Sequence, residues 1–488
     1  MRKFTLLMTL FLLSLLATAC QPSRQPDPTA TMTRPPLPTV TQTATPTVTP
    51  TPLPTATPTN TPTPTPMSSA AIFDQVSPAI AFIETPAGTG SGLLIEGGYV
   101  VTNAHVVWPF QEVRVVFPDG SEYQQAPVLK WNLMADLAVV GPIETTIAPV
   151  VLADGEAEVV GSDVYLIGYP GEVEAFPRPA ITRGLISRVR EWEALNITYF
   201  QTDATIAGGQ SGGVLVNQKA QVIGISGFYF TEAMFGLVAS VADVQPLIQE
   251  MTTDEAVSIQ GGRMLPVEGG QQEQEVWLWN GEVGLFIANS PAGDDLQVQV
   301  ESEVETALEI VDVYGTIVAE SASSQAGRTT ASTTAMIAAP HFVVVYALGG
   351  ETTNRFRVSS NQPLIPYDDW DDFRRLLPNQ TLDGLMDYPG DYDYFTVTLV
   401  KGQTVHVTLD SLLLDPYLAV MYDNWDTAVE DDDSGGGLFG LNAGLTYQAP
   451  HSGEYYIYVA DATGYYVGGY QIQVGEPAAG APTPMAVP

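Results

Sequence analysis

Thr202-Asp203-Ala204-Thr205-Ile206-Ala207-Gly208-Gly209-Gln210-Ser211-Gly212-Gly213 sets one serine among four glycines, between β-rich runs at residues 198–201 and 214–216. Glycine lets a backbone turn sharply and expose both a hydroxyl and free N–H groups. Such a turn can present a nucleophile and line a pocket for developing negative charge. On its own the stretch suits a Gly-rich hairpin with an incidental serine equally well. The residues upstream decide between the two.

Residues 67–251 hold a single histidine, His105, in Tyr99-Val100-Val101-Thr102-Asn103-Ala104-His105-Val106-Val107. It is read as lying at the end of an apolar strand, where a ring could face a cleft. Asp136 stands at the mouth of a second apolar run, Met134-Ala135-Asp136-Leu137-Ala138-Val139-Val140. A carboxylate beginning so apolar a stretch is costly to bury unless it is hydrogen-bonded, and an imidazole N–H is a natural partner. Serine hydrolysis needs a serine activated by a histidine that a carboxylate orients. Taken singly, His105 could be a core histidine and Asp136 a turn residue. The order His, Asp, Ser, with one histidine available, favours a catalytic set.

The surrounding pattern is β-rich. A serine-capped helix is expected over residues 68–76, stopped before Pro78. Short strand-like runs follow, broken by Gly, Pro and Asp, and a second helix is expected over 243–251 with Pro246 in its first turn. Many strands and little helix imply a sandwich or barrels.

Gly88-Thr89-Gly90-Ser91-Gly92, Thr102-Asn103-Ala104-His105-Val106-Val107, Ala135-Asp136-Leu137-Ala138-Val139 and the 201–213 stretch together resemble the Deg/HtrA branch of the chymotrypsin-like serine proteases. The resemblance covers residues 72–251. It implies an all-β fold of two six-stranded antiparallel barrels, with His105 and Asp136 from the first and Ser211 from the second. It makes Ser211 the nucleophile, His105 the general base and Asp136 its orienter. The oxyanion hole would be the N–H groups of Gly209 and Ser211, with Gln210 close by. Thr205 and Ile206 fall where the floor of the P1 pocket is expected, with no charged residue there, which implies a small aliphatic P1. Ala207-Gly208 and Gln210 depart from the branch's usual residues, so the loop is expected to lack its customary braces. Gly227-Phe228-Tyr229-Phe230 is read mainly as packing, with a substrate-binding edge as the alternative.

Beyond residue 251 no peptide-binding domain of the kind common in that branch is visible. Two β-rich regions follow instead, and they look like diverged copies. Val298-Gln299-Val300-Glu301-Ser302 parallels Val407-Thr408-Leu409-Asp410-Ser411, and Leu308–Asp312 parallels Leu418–Tyr422. Ala339-Pro340-His341 parallels Ala449-Pro450-His451. The second copy resembles the bacterial pre-peptidase C-terminal domain through Asp391-Tyr392-Asp393-Tyr394-Phe395, Leu414-Asp415-Pro416-Tyr417-Leu418 and Gly453-Glu454-Tyr455-Tyr456-Ile457. That resemblance implies a jelly-roll-like β-sandwich for each copy. The acidic run Asp431-Asp432-Asp433 is a weak calcium candidate; no other metal and no cofactor is expected. Residues 363–378 read as a hinge with a short helix.

The chain begins Met1-Arg2-Lys3, followed by an apolar run and Ala17-Thr18-Ala19-Cys20, which describes a secretory signal. Cys20, the only cysteine, falls where bacterial lipoprotein signals carry their lipidated residue. Lipidation there would anchor the protein to the cell membrane or outer membrane; the alternative is plain secretion. Residues 21–66 are a Thr/Pro tract, too poor in apolar groups to fold and long enough to reach about 140 Å when extended. The formal charge of −37 is spread over every region beyond the tract, which excludes the basic footprint of a nucleic-acid binder.

The expected organisation is a lipoprotein signal (1–20), a disordered stalk (21–66), a trypsin-like serine protease domain (67–251), a divergent β-sandwich (262–361), a hinge (362–378), a pre-peptidase C-terminal-like sandwich (379–475) and a disordered tail (476–488). The expected function is a membrane-tethered extracytoplasmic endopeptidase acting on polypeptides through an acyl-enzyme. Its competitor is a surface binding or adhesion lipoprotein with an inactive protease fold; an esterase on the same fold is a third reading. Oligomeric state is not legible.

Overall fold

Leu137–Val140 shows how the fold is assembled, because all four residues are buried but face two different cores. Ala138 and Val140 point into one barrel, while Leu137 and Val139 pack outward against Tyr199, Ile225 and Leu237 of a second. Side chains alternate along a strand, so an unbroken apolar run is what a strand between two cores requires.

The structure, a computed structural model, describes residues 66–153, 159–171, 177–230, 235–253, 264–266, 268–350 and 352–476. The signal, Cys20, nearly all of the Thr/Pro tract and the tail expected from residue 476 lie outside the described residues, apart from Glu476 itself. Among the described residues no helix is long and apolar enough to cross a membrane.

The first barrel consists of β1 (Ile80–Thr85), β2 (Gly88–Ile95), β3 (Tyr99–Thr102), β4 (Glu112–Val116), β5 (Glu122–Asn132) and β6 (Leu137–Val140). The second consists of β7 (Asp163–Gly168), β8 (Ala180–Trp192), β9 (Ile197–Thr202), β10 (Val214–Val216), β11 (Val222–Phe230) and β12 (Phe235–Ser240). Both are closed and share one strand order, β1-β2-β3-β6-β5-β4 and β7-β8-β9-β12-β11-β10. Helix α1 (Ser69–Val76) is capped by Ser68, whose hydroxyl accepts from the Ala71 N–H. A one-turn helix α2 (Ala104–Val107) follows β3, so His105 sits just past the strand rather than at its end. Helix α3 (Val241–Met251) begins two residues earlier than the sequence suggested, which places Pro246 in its second turn.

Eight strands follow: β13 (Gln271–Leu278), β14 (Val283–Ser290), β15 (Asp295–Ser302), β16 (Thr306–Val311), β17 (Ile317–Ser323), β18 (Gly327–Thr334), β19 (Ala339–Ala347) and β20 (Asn354–Tyr367). Their apolar faces share one core, containing Val298, Ile310, Val343 and Phe356. The last region has β21 (Arg374–Arg375), β22 (Gln380–Met386), β23 (Tyr392–Leu399), β24 (Thr404–Ser411), β25 (Pro416–Met421), β26 (Thr427–Asp431), β27 (Ala443–Gln448), β28 (Gly453–Asp461) and β29 (Gly468–Gly475). Its two sheets run β21-β23-β28-β25-β26 and β22-β29-β24-β27. The preceding eight strands repeat that plan, as β20-β14-β19-β16-β17 and β13-β20-β15-β18. The segments paired by sequence, β15 with β24 and β16 with β25, occupy equivalent places.

The expected helix in 363–378 does not form. β20 continues to Tyr367, Phe373 adopts a left-handed φ of 57°, and Arg374–Arg375 pairs with β23. A helix would need a run of right-handed residues that Phe373 interrupts.

Candidate active site

His105 and Asp136 meet because their strands are neighbours. β3 pairs with β6, and the chain leaves β3 into α2 at the same end where Asp136 enters β6. The Nδ1 of His105 lies 2.8 Å and 3.0 Å from the two carboxylate oxygens of Asp136, and the His105 backbone N–H donates to Oδ1 at 3.1 Å. Asp136 is 1% exposed and has a φ of 52°, a left-handed conformation that aspartate tolerates better than most residues. Two asparagines hold it there. Asn103 donates from Nδ2 to the Asp136 carbonyl, and Asn132 Oδ1 accepts from the Ala135 N–H.

Burial disfavours the His105 cation, but the charge and hydrogen bond of Asp136 outweigh that cost, so its pKa is raised above 6.5. A proton on Nδ1 toward Asp136 leaves Nε2 bare as an acceptor. The outer edge of the ring remains open, with the side chain 37% exposed.

Ser211 stands in the loop between β9 and β10, and this loop is braced. Ser91 of β2 supplies the main support, its N–H donating to the Ser211 carbonyl at 2.7 Å and its hydroxyl to the Gly209 carbonyl at 2.9 Å. The same hydroxyl accepts from the Tyr169 N–H. Gln210, 2% exposed, folds back so that its Oε1 accepts from the Ala207 N–H at 2.6 Å. The Gly171 N–H donates to the Gly208 carbonyl. The loop expected to lack braces therefore has them, supplied by Gln210 itself and by Ser91. Gly212 cannot be replaced there: its φ is +77°, and a Cβ would sit 2.1 Å from the Ser91 carbonyl oxygen.

The Gln210 N–H is committed to the Ala207 carbonyl at 3.1 Å. Among the described residues the N–H groups of Gly209 and Ser211 have no acceptor. The Ser211 hydroxyl donates to the Gly227 carbonyl at 3.4 Å and makes no hydrogen bond to His105.

The remaining predicted residues distribute unevenly. Thr205 is exposed, and its carbonyl accepts from the Thr182 hydroxyl. Ile206 is buried in the second barrel's core, over Gly236. Asp431 accepts from the Ser434 and Gly444 N–H groups, a turn-closing role, and Asp432 and Asp433 are exposed. Among the described residues these three do not converge with other ligand-type side chains. The calcium expectation is therefore misplaced: only Asp431 belongs to β26, and Asp432 and Asp433 lie in the bend that follows it.

Sequence reading missed the second wall of the cleft. A cavity of about 420 Å³ lined by His105, Ser211 and Thr89 is also lined by Tyr314, Tyr465 and Tyr466 from the two sandwiches. The Tyr314 hydroxyl donates to the Ala87 carbonyl at 3.3 Å. Phe228, 6.3 Å from the His105 ring, contacts Phe439 of the last region at 5.4 Å.

Residues 90–225 match a family model described as the trypsin-like peptidase domain. Residues 391–461 match the bacterial pre-peptidase C-terminal domain. The chain is similar to serine protease HTRA4 of Mus musculus, 33% identical over 176 residues, covering 32% of this chain and 35% of that protein. It is also similar to a DegP-like periplasmic serine endoprotease of Halomonas elongata, 35% identical over 147 residues and 30% of each chain. A solved serine endoprotease of Yersinia pestis aligns over 39% of this chain and 69% of that one, at 26% identity and a TM-score of 0.34. The matched stretch spans about a third of the length of the two sequence relatives.

Proposed function

We propose that this chain is an extracytoplasmic serine endopeptidase that cleaves polypeptides through an acyl-enzyme. The observation that carries this reading is the pairing of buried Asp136 with His105, which lines the same cleft as Ser211, whose own N–H and that of Gly209 are left without acceptors among the described residues. The similarity to serine proteases over this stretch supports it independently.

In this mechanism the Ser211 hydroxyl rotates from the Gly227 carbonyl toward His105. As Oγ attacks the substrate carbonyl, its proton passes to Nε2, and Asp136 stabilises the resulting imidazolium. The N–H groups of Gly209 and Ser211 receive the oxyanion, each such donor contributing about 2.7–4 kcal/mol in the transition state. The C–N bond then breaks, with the leaving amine taking the proton from Nε2. Water, deprotonated by the same nitrogen, releases the acyl group and restores Ser211.

Ile206 over Gly236 leaves little depth for a P1 side chain, which fits a small aliphatic residue. The cavity walled by Tyr314, Tyr465 and Tyr466 has no lining from β11 or from residues 205–206. It therefore fits the leaving-group side of the substrate. A lipid anchor at Cys20 with residues 21–66 as a spacer would tether the enzyme to a membrane, and the periplasmic relative is consistent with an extracytoplasmic site.

A fluorophosphonate probe on the full chain tests the reading. It should label Ser211 and no other residue, and Ser211→Ala should abolish both labelling and casein turnover. A well-folded wild-type protein that neither labels nor cleaves would overturn the proposal and favour a binding role.

A further inference from the structure

Six aspartates gather at the joint between the sandwiches, and none of them lines the cleft. Asp369, Asp371 and Asp372 follow β20, Asp387 and Asp391 lie between β22 and β23, and Asp393 is the second residue of β23. Two sets of three converge, Asp369 with Asp387 and Asp391, and Asp369 with Asp371 and Asp393. In each set one carboxylate oxygen per residue lies within 4.8 Å of the others. Asp371 and Asp393 are wholly buried, and Asp387 and Asp391 nearly so.

The fold satisfies one side of these carboxylates. The Leu385 N–H donates to Asp371 Oδ2, the Tyr367 hydroxyl to Asp387 Oδ1 and the Tyr470 hydroxyl to Asp393 Oδ2. Asp391 accepts from the N–H groups of Asp387 and Tyr392. The other side is different. Asp393 Oδ1, on a side chain with no exposure, and Asp369 Oδ1 accept no hydrogen bond among the described residues. Nor do Asp369, Asp391 and Asp393 form an ion pair with Lys, Arg or His there. Burial first, and neighbouring aspartates second, push the carboxyls of Asp369, Asp391 and Asp393 well above the usual range.

We propose that this joint is a binding site for a divalent cation of the calcium class, held by Asp369 with Asp371, Asp387, Asp391 and Asp393. The donor set is all carboxylate oxygen, the chemistry that hard cations with six to eight oxygen ligands take, and it excludes metals that select nitrogen or sulfur. The cation supplies the charge and the ligand that the orphaned oxygens lack. It also ties three segments together: the chain after β20, the β22–β23 turn, and β23.

The joint has a route to the catalytic barrel. Tyr388, next to Asp387, stacks on Phe342 at 5.9 Å, and Phe342 stacks on Trp108 at 5.8 Å. Trp108 immediately follows α2, the helix that carries His105. The cation would thus fix the surface on which the sandwiches hold that wall of the first barrel. The proposal does not rest on the protease reading.

Terbium is the probe, because Tyr388, Tyr392 and Tyr394 lie beside these carboxylates and can sensitise its emission. The full chain, stripped with EDTA and desalted, is titrated with Tb³⁺ and then with Ca²⁺. The expected result is saturable luminescence displaced by Ca²⁺, together with a melting temperature that Ca²⁺ raises and EDTA lowers. Asp393→Asn and Asp369→Asn should each weaken Tb³⁺ binding at least tenfold, while Asp432→Asn with Asp433→Asn should leave it unchanged. Absence of saturable emission from wild-type protein, with a melt indifferent to Ca²⁺ and EDTA, would overturn the proposal whatever the variants do. Loss of emission in the Asp432/Asp433 variant with retention in Asp369→Asn would overturn it too.

Discussion

Gly469 of the second sandwich lies directly against Met134 of the first barrel, two residues before Asp136. Its N–H donates to the Leu133 carbonyl at 3.3 Å, and a Cβ at 469 would sit 2.9 Å from the Met134 Cα. Asp136 is thus positioned from both sides, by Asn103 and Asn132 within its barrel and by β29 from outside it. Gly469→Ala must push this loop or lift the sandwich. Overpacking of this kind costs about 1–3 kcal/mol. The expected outcome is a lower melting temperature and a several-fold fall in kcat/KM for peptide substrates. A variant with unchanged kcat/KM would show that the loop keeps its shape without the contact.

The pH dependence follows from the Asp136–His105 pair. Neutral imidazole is the base, so kcat/KM should climb with pH through the His105 value, which lies above 6.5. Asp136→Asn removes the charge and the acceptor that raise this value and leaves the burial that lowers it. The midpoint should move down, with kcat reduced by about 10⁴-fold. The stability linkage has the opposite sense. With the folded value raised, the pair's contribution is full below about 6.5, the unfolded value, and is lost as pH rises through the folded value. Thermal melts of wild type and Asp136→Asn at pH 5.5 and 8.5 should therefore differ more at the lower pH.

Gln210 gives a sharper test of the loop. Its carboxamide oxygen is the acceptor for the Ala207 N–H, and this bond closes the turn that presents Gly209 and Ser211. Gln210→Ala removes one hydrogen bond, a net loss of about 1 kcal/mol. Because the turn sets the direction of the two free N–H groups, the loss should fall on kcat rather than KM. Fluorophosphonate labelling of Ser211 should slow about five- to tenfold with the melting temperature nearly kept. An unchanged labelling rate would assign the bracing to Ser91 alone.

His105, Asp136 and Ser211 could be read because each is chemically distinctive and is embedded in an apolar or glycine-rich run with few alternative explanations. The strand-like runs alone leave a sandwich or barrels open, and the two six-stranded barrels are implied by the resemblance; that Leu137–Val140 is buried between two cores emerges only in the fold. Gly469, Tyr314 and Trp108 gave no signal, because their roles depend on how the sandwiches dock, and no local periodicity encodes that. Asp431-Asp432-Asp433 is conspicuous because it is contiguous, but Asp431 accepts from the Ser434 and Gly444 N–H groups while Asp432 and Asp433 are exposed in the bend after β26. Asp369, Asp387, Asp391 and Asp393 are scattered in sequence, and the β20, β22 and β23 ends bring them together.

The tyrosine wall of the cleft yields a prediction about specificity. Tyr465 and Tyr466 are 60% and 55% exposed, so neither is needed to hold the sandwich together. Both rings nevertheless line the cavity that His105 and Ser211 line, which has no lining from β11. A bulky apolar side chain just beyond the scissile bond would cover part of them, and that burial is worth on the order of 1 kcal/mol per ring. Tyr465→Ala with Tyr466→Ala should lower kcat/KM about tenfold for quenched peptides carrying Leu or Phe there. Peptides carrying Gly should be cleaved as before, because they never reached the rings. A uniform fall across both peptide sets would mean that the sandwich shapes the catalytic centre itself. A uniform rise would mean that the wall obstructs the cleft, and the tyrosines would then be a barrier to substrate rather than part of its binding site.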